Sequence, residues 1–148
     1  MLKQNWISST YTDLNLFIDS PDALYRSPDS TINKLTFISS NKNLEINLIT
    51  KPIVENSDLS NELINDFKER NFINVITKNE DFQTLDGDKG VKIFGSFDDQ
   101  NLNRKKDYST ILFVVNKLSI KLEIIYERGN ANLQKIVDRV FNSLKFNK

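Results

Sequence analysis

Neither cysteine nor histidine occurs in the chain. Without cysteine there are no disulfides and no thiolate metal sites. Without histidine the chain lacks the commonest general base and the commonest metal ligand. Carboxylates, lysine, tyrosine and hydroxyl side chains are all that remain for chemistry. Ser60, Ser109 and Ser119 have no histidine and no lysine in evident register to activate them, and a serine nucleophile needs such a base. An excess of charge is also missing: 20 Lys+Arg balance 20 Asp+Glu, which argues against neutralising a nucleic-acid backbone. No run approaches the roughly 20 apolar residues of a membrane span. Met1 to Thr12 is polar around Trp6 and Ile7, with no apolar core of a signal peptide. A cytoplasmic protein is the expectation, or a periplasmic protein or lipoprotein if the native chain begins upstream. Together these absences point to a non-enzyme with no cofactor and no metal.

What is present suits one globular domain. The 148 residues are 39% hydrophobic and 27% charged, too apolar for a disordered chain and long enough for a layered core. Leu14, Leu16 and Ile18 alternate before Asp19-Ser-Pro-Asp22 breaks the pattern. Leu35–Ile38 and Leu44–Leu48 read as two strands of a hairpin, with Leu44, Ile46 and Leu48 on one face and Glu45 and Asn47 on the other. Pro52 ends the second strand, since it has no N–H for the ladder. Ser57 or Asp58 can cap a helix whose stripe is Leu59, Leu63, Ile64 and Phe67, with Asn71 as its stop. Strands over Ile73–Phe82 and Val91–Phe97 flank a turn at Asp86-Gly87 and Lys89-Gly90, and Gly95 marks a bulge or a close backbone approach. Asp98 to Asp107, polar except for Leu102, reads as a loop.

Tyr108–Val115 is apolar on both faces from Ile111, the pattern of a central strand. Asn116-Lys117 has the length of a hairpin turn into the alternating run Leu118–Tyr126. Asn130 caps a last helix whose stripe is Leu133, Ile136, Val137, Val140, Phe141 and Leu144. Burying these side chains contributes about 1.5–3 kcal/mol each before entropy is subtracted, so the helix belongs to the fold. The order β-β-β-α-β-β-β-β-α predicts an α+β fold, an antiparallel β-sheet of about six to seven strands packed between α-helices.

This order resembles the PsbP/DcrB-like fold. Tyr11-Thr-Asp-Leu-Asn-Leu-Phe-Ile-Asp-Ser-Pro21 looks like that family's opening strand with its proline, and Asp86-Gly-Asp-Lys-Gly90 like the glycine before an alternating strand. Tyr108–Val115, the Leu118 hairpin and Leu133…Phe141-Asn-Ser-Leu-Lys-Phe146 look like the family's C-terminal pattern. The resemblance covers residues 11–146 of a single domain, 1–148. Asp29–Phe37 further resembles the Eag-type chaperones of secreted effectors. The resemblance implies a non-enzymatic binding or adaptor protein, in its narrowest form a chaperone for a segment of a secreted effector. The alternative it implies is an exported lipoprotein-type accessory or small-ligand-binding domain.

Two sets of residues are candidates for contact with a protein partner, a second copy of the chain included. The first is apolar: Ile111, Phe113, Val115 and Ile125, from strands with apolar residues to spare on a second face. The second is Arg104, Lys105 and Lys106 in the polar segment. Asp98, Asp99 and Asp107 flank these cations and are the residues a carboxylate enzyme would use, though a solvated hairpin tip needs the same composition. Asp86 and Asp88, with Glu80 and Asp81 nearby, lack the register of a calcium loop and read as an acidic turn.

Overall fold

The structure is a computed structural model, and it describes residues 6–11, 16–21, 25–26, 34–39, 43–52, 59–84, 87–115 and 118–146. Its strands are β1 (Trp6–Tyr11), β2 (Leu16–Pro21), β3 (Tyr25–Arg26), β4 (Lys34–Ile38), β5 (Leu44–Pro52), β6 (Phe72–Gln83), β7 (Lys89–Asp99), β8 (Arg104–Val115), β9 (Leu118–Glu127) and β10 (Lys145–Phe146). The helices are α1 (Leu59–Glu69) and α2 (Ala131–Ser143). Seven strands form an antiparallel sheet in the order β3-β4-β5-β9-β8-β7-β6, and β1, β2 and β10 form a smaller one. The expected α+β class and antiparallel sheet between helices are what the chain adopts. No helix among the described residues is long and apolar enough to cross a membrane.

Alternation sends each strand's residues to two faces, and each face has its own core. On one, Leu44, Ile46 and Leu48 of β5, Ile120, Leu122 and Ile124 of β9, and Ile111 and Phe113 of β8 meet Leu133, Val137, Val140 and Phe141 of α2. On the other, Leu63 and Phe67 of α1 pack on Ile93, Phe97, Tyr108, Leu112 and Ile125. Phe67 sits at the centre of an aromatic cluster, with its ring 4.9 Å from that of Tyr108 and 5.1 Å from that of Phe97. Edge-on and tilted pairs of this kind add to the area they bury.

One end of each helix follows the sequence, while the Ser57 or Asp58 cap expected for α1 lies outside the described residues. Asn130 Oδ1 accepts from Leu133 N at 3.1 Å, capping α2 as expected. Asn71 takes φ +60° just past α1, the left-handed stop that asparagine tolerates. Gly95 makes the close approach: a Cβ there would lie 1.8 Å from Ile76 O. It faces Tyr108, whose hydroxyl donates to the same carbonyl at 3.0 Å, and a register shift falls in β6 between Ile73 and Ile76.

Two expectations need correction, and one strand was not anticipated. Trp6–Tyr11, read only as polar around Trp6 and Ile7, is a strand paired with β2 from Trp6↔Pro21 to Tyr11↔Leu16. Proline is tolerated there because it lies at the strand end. The opening strand accordingly runs through Asp19-Ser-Pro21 rather than stopping before them. The segment Asp98–Asp107 is not a loop: β7 continues to Asp99 and β8 begins at Arg104. The turn shrinks to four residues because Asp99 Oδ1 accepts from Asn101 N at 3.0 Å and Leu102 N at 3.3 Å, and Asn103 takes φ +49°. The Asn116-Lys117 turn lies outside the described residues; the strands on either side of it pair Val115 with Leu118.

Candidate functional site

The cationic segment predicted for partner contact becomes the start of β8. Its backbone is clamped by Arg128, whose Nη2 donates to Phe97 O at 2.9 Å and to Lys106 O at 3.4 Å. Arg104 and Lys105 are exposed, and with Asn43, Glu127 and Arg128 they line an open cleft of about 400 Å³ at the sheet's end. Lys106 parts company with them. Alternation separates it from Lys105 and puts it on the α1 face with Arg104, but Arg104 is exposed at the strand's start whereas Lys106 is buried, and burial with the charge of Arg104 pushes its ammonium pKa down. It is therefore not a surface contact.

The three carboxylates beside the cleft are all structurally engaged. Asp98 accepts from Asn74 Nδ2 at 2.8 Å, and that bond, with the charges of Arg128 and Lys105, holds its pKa below the usual range. Asp99 holds the turn. Asp107 is 3.5 Å from Arg128 Nε, and burial raises its pKa against the pull of that guanidinium. Asp86 lies outside the described residues, and no metal-holding group of acidic residues is found among the described ones.

The apolar candidates do not form a surface. Ile111 and Phe113 are buried under α2, whereas Ile125 is buried on the α1 face. The surplus of apolar positions that suggested a docking face is consumed by two cores, one on each side. The side chain of Val115 lies outside the described residues. Of its neighbours Val114 is the exposed one.

Sequence reasoning missed a second polar assembly. Thr36, Asn47, Glu123 and Thr110 stand in one cross-strand row over β4, β5, β9 and β8, on the α1 face. Glu123 and Asn47 are fully buried. Asn47 Nδ2 donates to Glu45 Oε2 at 2.7 Å and to Glu123 Oε1 at 3.1 Å, and its Oδ1 accepts from Thr36 at 2.7 Å. Arg70, just after α1, closes the group with Nη2 2.7 Å from Glu45 and Nη1 3.3 Å from Glu123. Burial would raise the Glu45 pKa, but Arg70, Asn47 and Lys34 together bring it below the ordinary value. Glu123 Oε2 and Thr110 Oγ1 have no hydrogen bond among the described residues, though Lys121 Nζ lies 3.7 Å from that carboxylate oxygen. Lys121 also lines a cavity of about 20 Å³ with Ile49, Lys51, Glu62, Leu112 and Ser119, room for about one water. The signal for this assembly was the alternation Lys121-Glu123-Ile125 opposite Glu45-Asn47, polar residues on a strand buried on both faces. Asn43, Glu127 and Arg128 were missed because the cleft joins three strand ends far apart in sequence.

No family model matches the sequence, and no curated protein matches it. Solved structures do. The solution structure of cyanobacterial PsbP (CyanoP) from Synechocystis sp. PCC 6803 is similar over 99% of this chain and 95% of that one, with TM-score 0.61 and 10% identity. A point mutant of protein Mog1 is similar over 94% of this chain and 86% of that one, with TM-score 0.53 and 11% identity. At such identities the likeness is one of fold, and the fold is PsbP-like.

Proposed function

We propose that the protein is a non-enzymatic binding protein that engages an acidic segment of a protein partner at the cleft lined by Arg104 and Lys105. The observation that carries this reading is how the charges around the cleft are arranged. Asp98, Asp99 and Asp107 each hold a turn, an amide or Arg128, so none is left as an acid–base pair. Arg104 and Lys105 stand exposed on a strand that Arg128 fixes, which presents positive charge on a rigid support. In its narrower form the partner is a segment of a secreted effector and the protein is its chaperone. That form rests on the resemblance of Asp29–Phe37 and requires the cleft rather than the sheet faces, where Ile111 and Phe113 pack under α2 and Ile125 packs on the α1 side.

Fluorescence anisotropy with a labelled Glu/Asp-rich decapeptide tests the reading. Binding should weaken steeply with added salt and be lost in Arg104→Glu/Lys105→Glu, with the melting temperature unchanged. Absence of binding at low salt, or binding that survives the charge reversal, refutes it. Hydrolysis of chromogenic ester, phosphate or glycoside substrates that disappears in Asp98→Asn or Asp107→Asn would refute the non-enzymatic part.

A further inference from the structure

The seven-stranded sheet ends on one side at β3, which has two residues, and on the other at β6, which has twelve. Among the described residues no strand lies beyond β6, so its outer N–H and C=O groups form a pairing template. From Ile76 onward β6 pairs one-to-one with β7, so the stretch to Gln83 is regular. Ile76 is 58% exposed there.

We propose that β6 is a self-association edge, joining a second copy of the chain antiparallel about a two-fold axis at Asn79. A two-fold axis perpendicular to a sheet keeps each face continuous across the junction, so it must pass through a residue and not between residues. Each choice of residue then fixes what stands opposite what. Centring on Lys78 sets lysine against lysine, on Glu80 glutamate against glutamate, and on Asp81 aspartate against aspartate. Centring on Thr77 brings the Ile73–Ile76 irregularity into the pair and sets Ile76 against Lys78. Centring on Asn79 sets Lys78 against Glu80 and Ile76 against Phe82. The symmetry repeats both pairs, and all four residues lie on the α2 face, where their partners in β7 are Phe94, Lys92, Ser96 and Gly90. Directly opposed charges and apolar groups of this kind are the unit of sheet stabilisation. No ion pair joins Lys78 to another described residue, and Glu80, half-exposed, is ion-paired with Lys92 at 3.4 Å. Lysines and irregularities on edges ordinarily repel intruders. On β6 the charges are of both signs and are spaced to complement their own copy.

The chain has no cysteine, so one introduced thiol reports the register. Opposed residues at the axis have Cα atoms about 4.5–5.5 Å apart, within disulfide reach. Under mild oxidation Asn79→Cys should cross-link into a dimer. Asp81→Cys should not, because its symmetry mate lies four residues along, about 13 Å away. Sedimentation provides the second arm. Lys78→Glu and Glu80→Lys should each be monomeric alone, through two like-charge contacts, and should form a heterodimer when mixed. Both side chains are exposed, so the variants should keep the wild-type circular dichroism spectrum. The proposal is overturned if the wild type stays monomeric while Asn79→Cys fails to cross-link, or if both cysteines cross-link equally. A dimer indifferent to the charge variants overturns it too, as does a monomer whose β6 pairs only with unrelated extended peptides.

Discussion

Replacing Arg70 with methionine tests the buried polar assembly most directly. The change keeps much of the aliphatic stem and removes the guanidinium that lies 2.7 Å from Glu45 and 3.3 Å from Glu123. Glu123 is fully buried, so its charge would lose its closest cation with no access to water. Breaking a buried pair from one side costs about 3–5 kcal/mol, and the partial exposure of Arg70 argues for the lower end, about 3 kcal/mol. For a domain of this size that is a fall of about 6–12 °C in Tm. The pH dependence carries a sharper signature. In the wild type the Glu45 pKa is depressed, so its contribution is fully present above the unfolded value of 4.5 and is lost as pH falls through the folded value. Between pH 7 and 5 this carboxylate therefore adds no slope. Without Arg70 the burial of Glu45 is largely unopposed and its pKa rises, so stability should increase as pH falls from 7 to 5. Urea unfolding of both proteins at pH 7 and pH 5, with the difference between them as readout, measures this. A variant within about 1 kcal/mol of the wild type and with the same pH dependence would show that the assembly is solvated and the reasoning wrong.

Gly95→Ala should destabilise by at least about 3 kcal/mol, because its methyl would overlap Ile76 O unless β6 and β7 separate; an unchanged denaturation midpoint would contradict the close approach. Asn130→Ala should cost about 1 kcal/mol and 2–4 °C in Tm by freeing the Leu133 N–H, and Asn130→Asp should restore it. Lys106→Met should match or exceed wild-type stability at pH 7, since burial and Arg104 already disfavour the charged amine; a loss above about 2 kcal/mol would mean that its attraction to Asp99, Glu45 and Glu127 prevails.

Periodicity revealed those parts of the fold whose packing is local to one element. The stripe Leu133–Leu144 and its Asn130 cap, the run Leu118–Tyr126 and the glycine at 95 were legible because each records a single constraint on helix, strand or backbone. The polar hairpin at Asp98–Asp107 was not, because its strands are held by Arg128 and by the Asp99 turn, not by apolar alternation. Candidate sites fared worse for a related reason. Apolar residues on two faces of β8 describe equally a strand covered twice and a strand with one face to offer, and only the placement of α1 and α2 decides between them. Composition groups Lys106 with two cationic neighbours, yet a strand sends Lys105 to the opposite face, and Arg104, on the same face as Lys106, stays exposed at the strand's start.

The buried row of Thr36, Asn47, Glu123 and Thr110 also explains why the proposed contacts fall at the rim of the sheet. On the α1 face the apolar cluster covers β6, β7 and β8 and extends to Ile125 of β9, where the aromatic side chains of Phe67, Phe97 and Tyr108 fill the space. Over β4, β5 and β9 the same face turns polar, and Arg70 closes it from the end of α1. A face divided in this way offers no continuous apolar floor for a partner, and its charges are matched to each other. On the opposite face α2 covers β5, β9 and β8. Solvent-facing groups suited to recognition stand where the sheet stops: Arg104 and Lys105 at one end of the strands, Lys78 and Ile76 along the outer edge. Under the two proposals, recognition at those places needs no rearrangement of either core, so occupation of the end and of the edge should be independent.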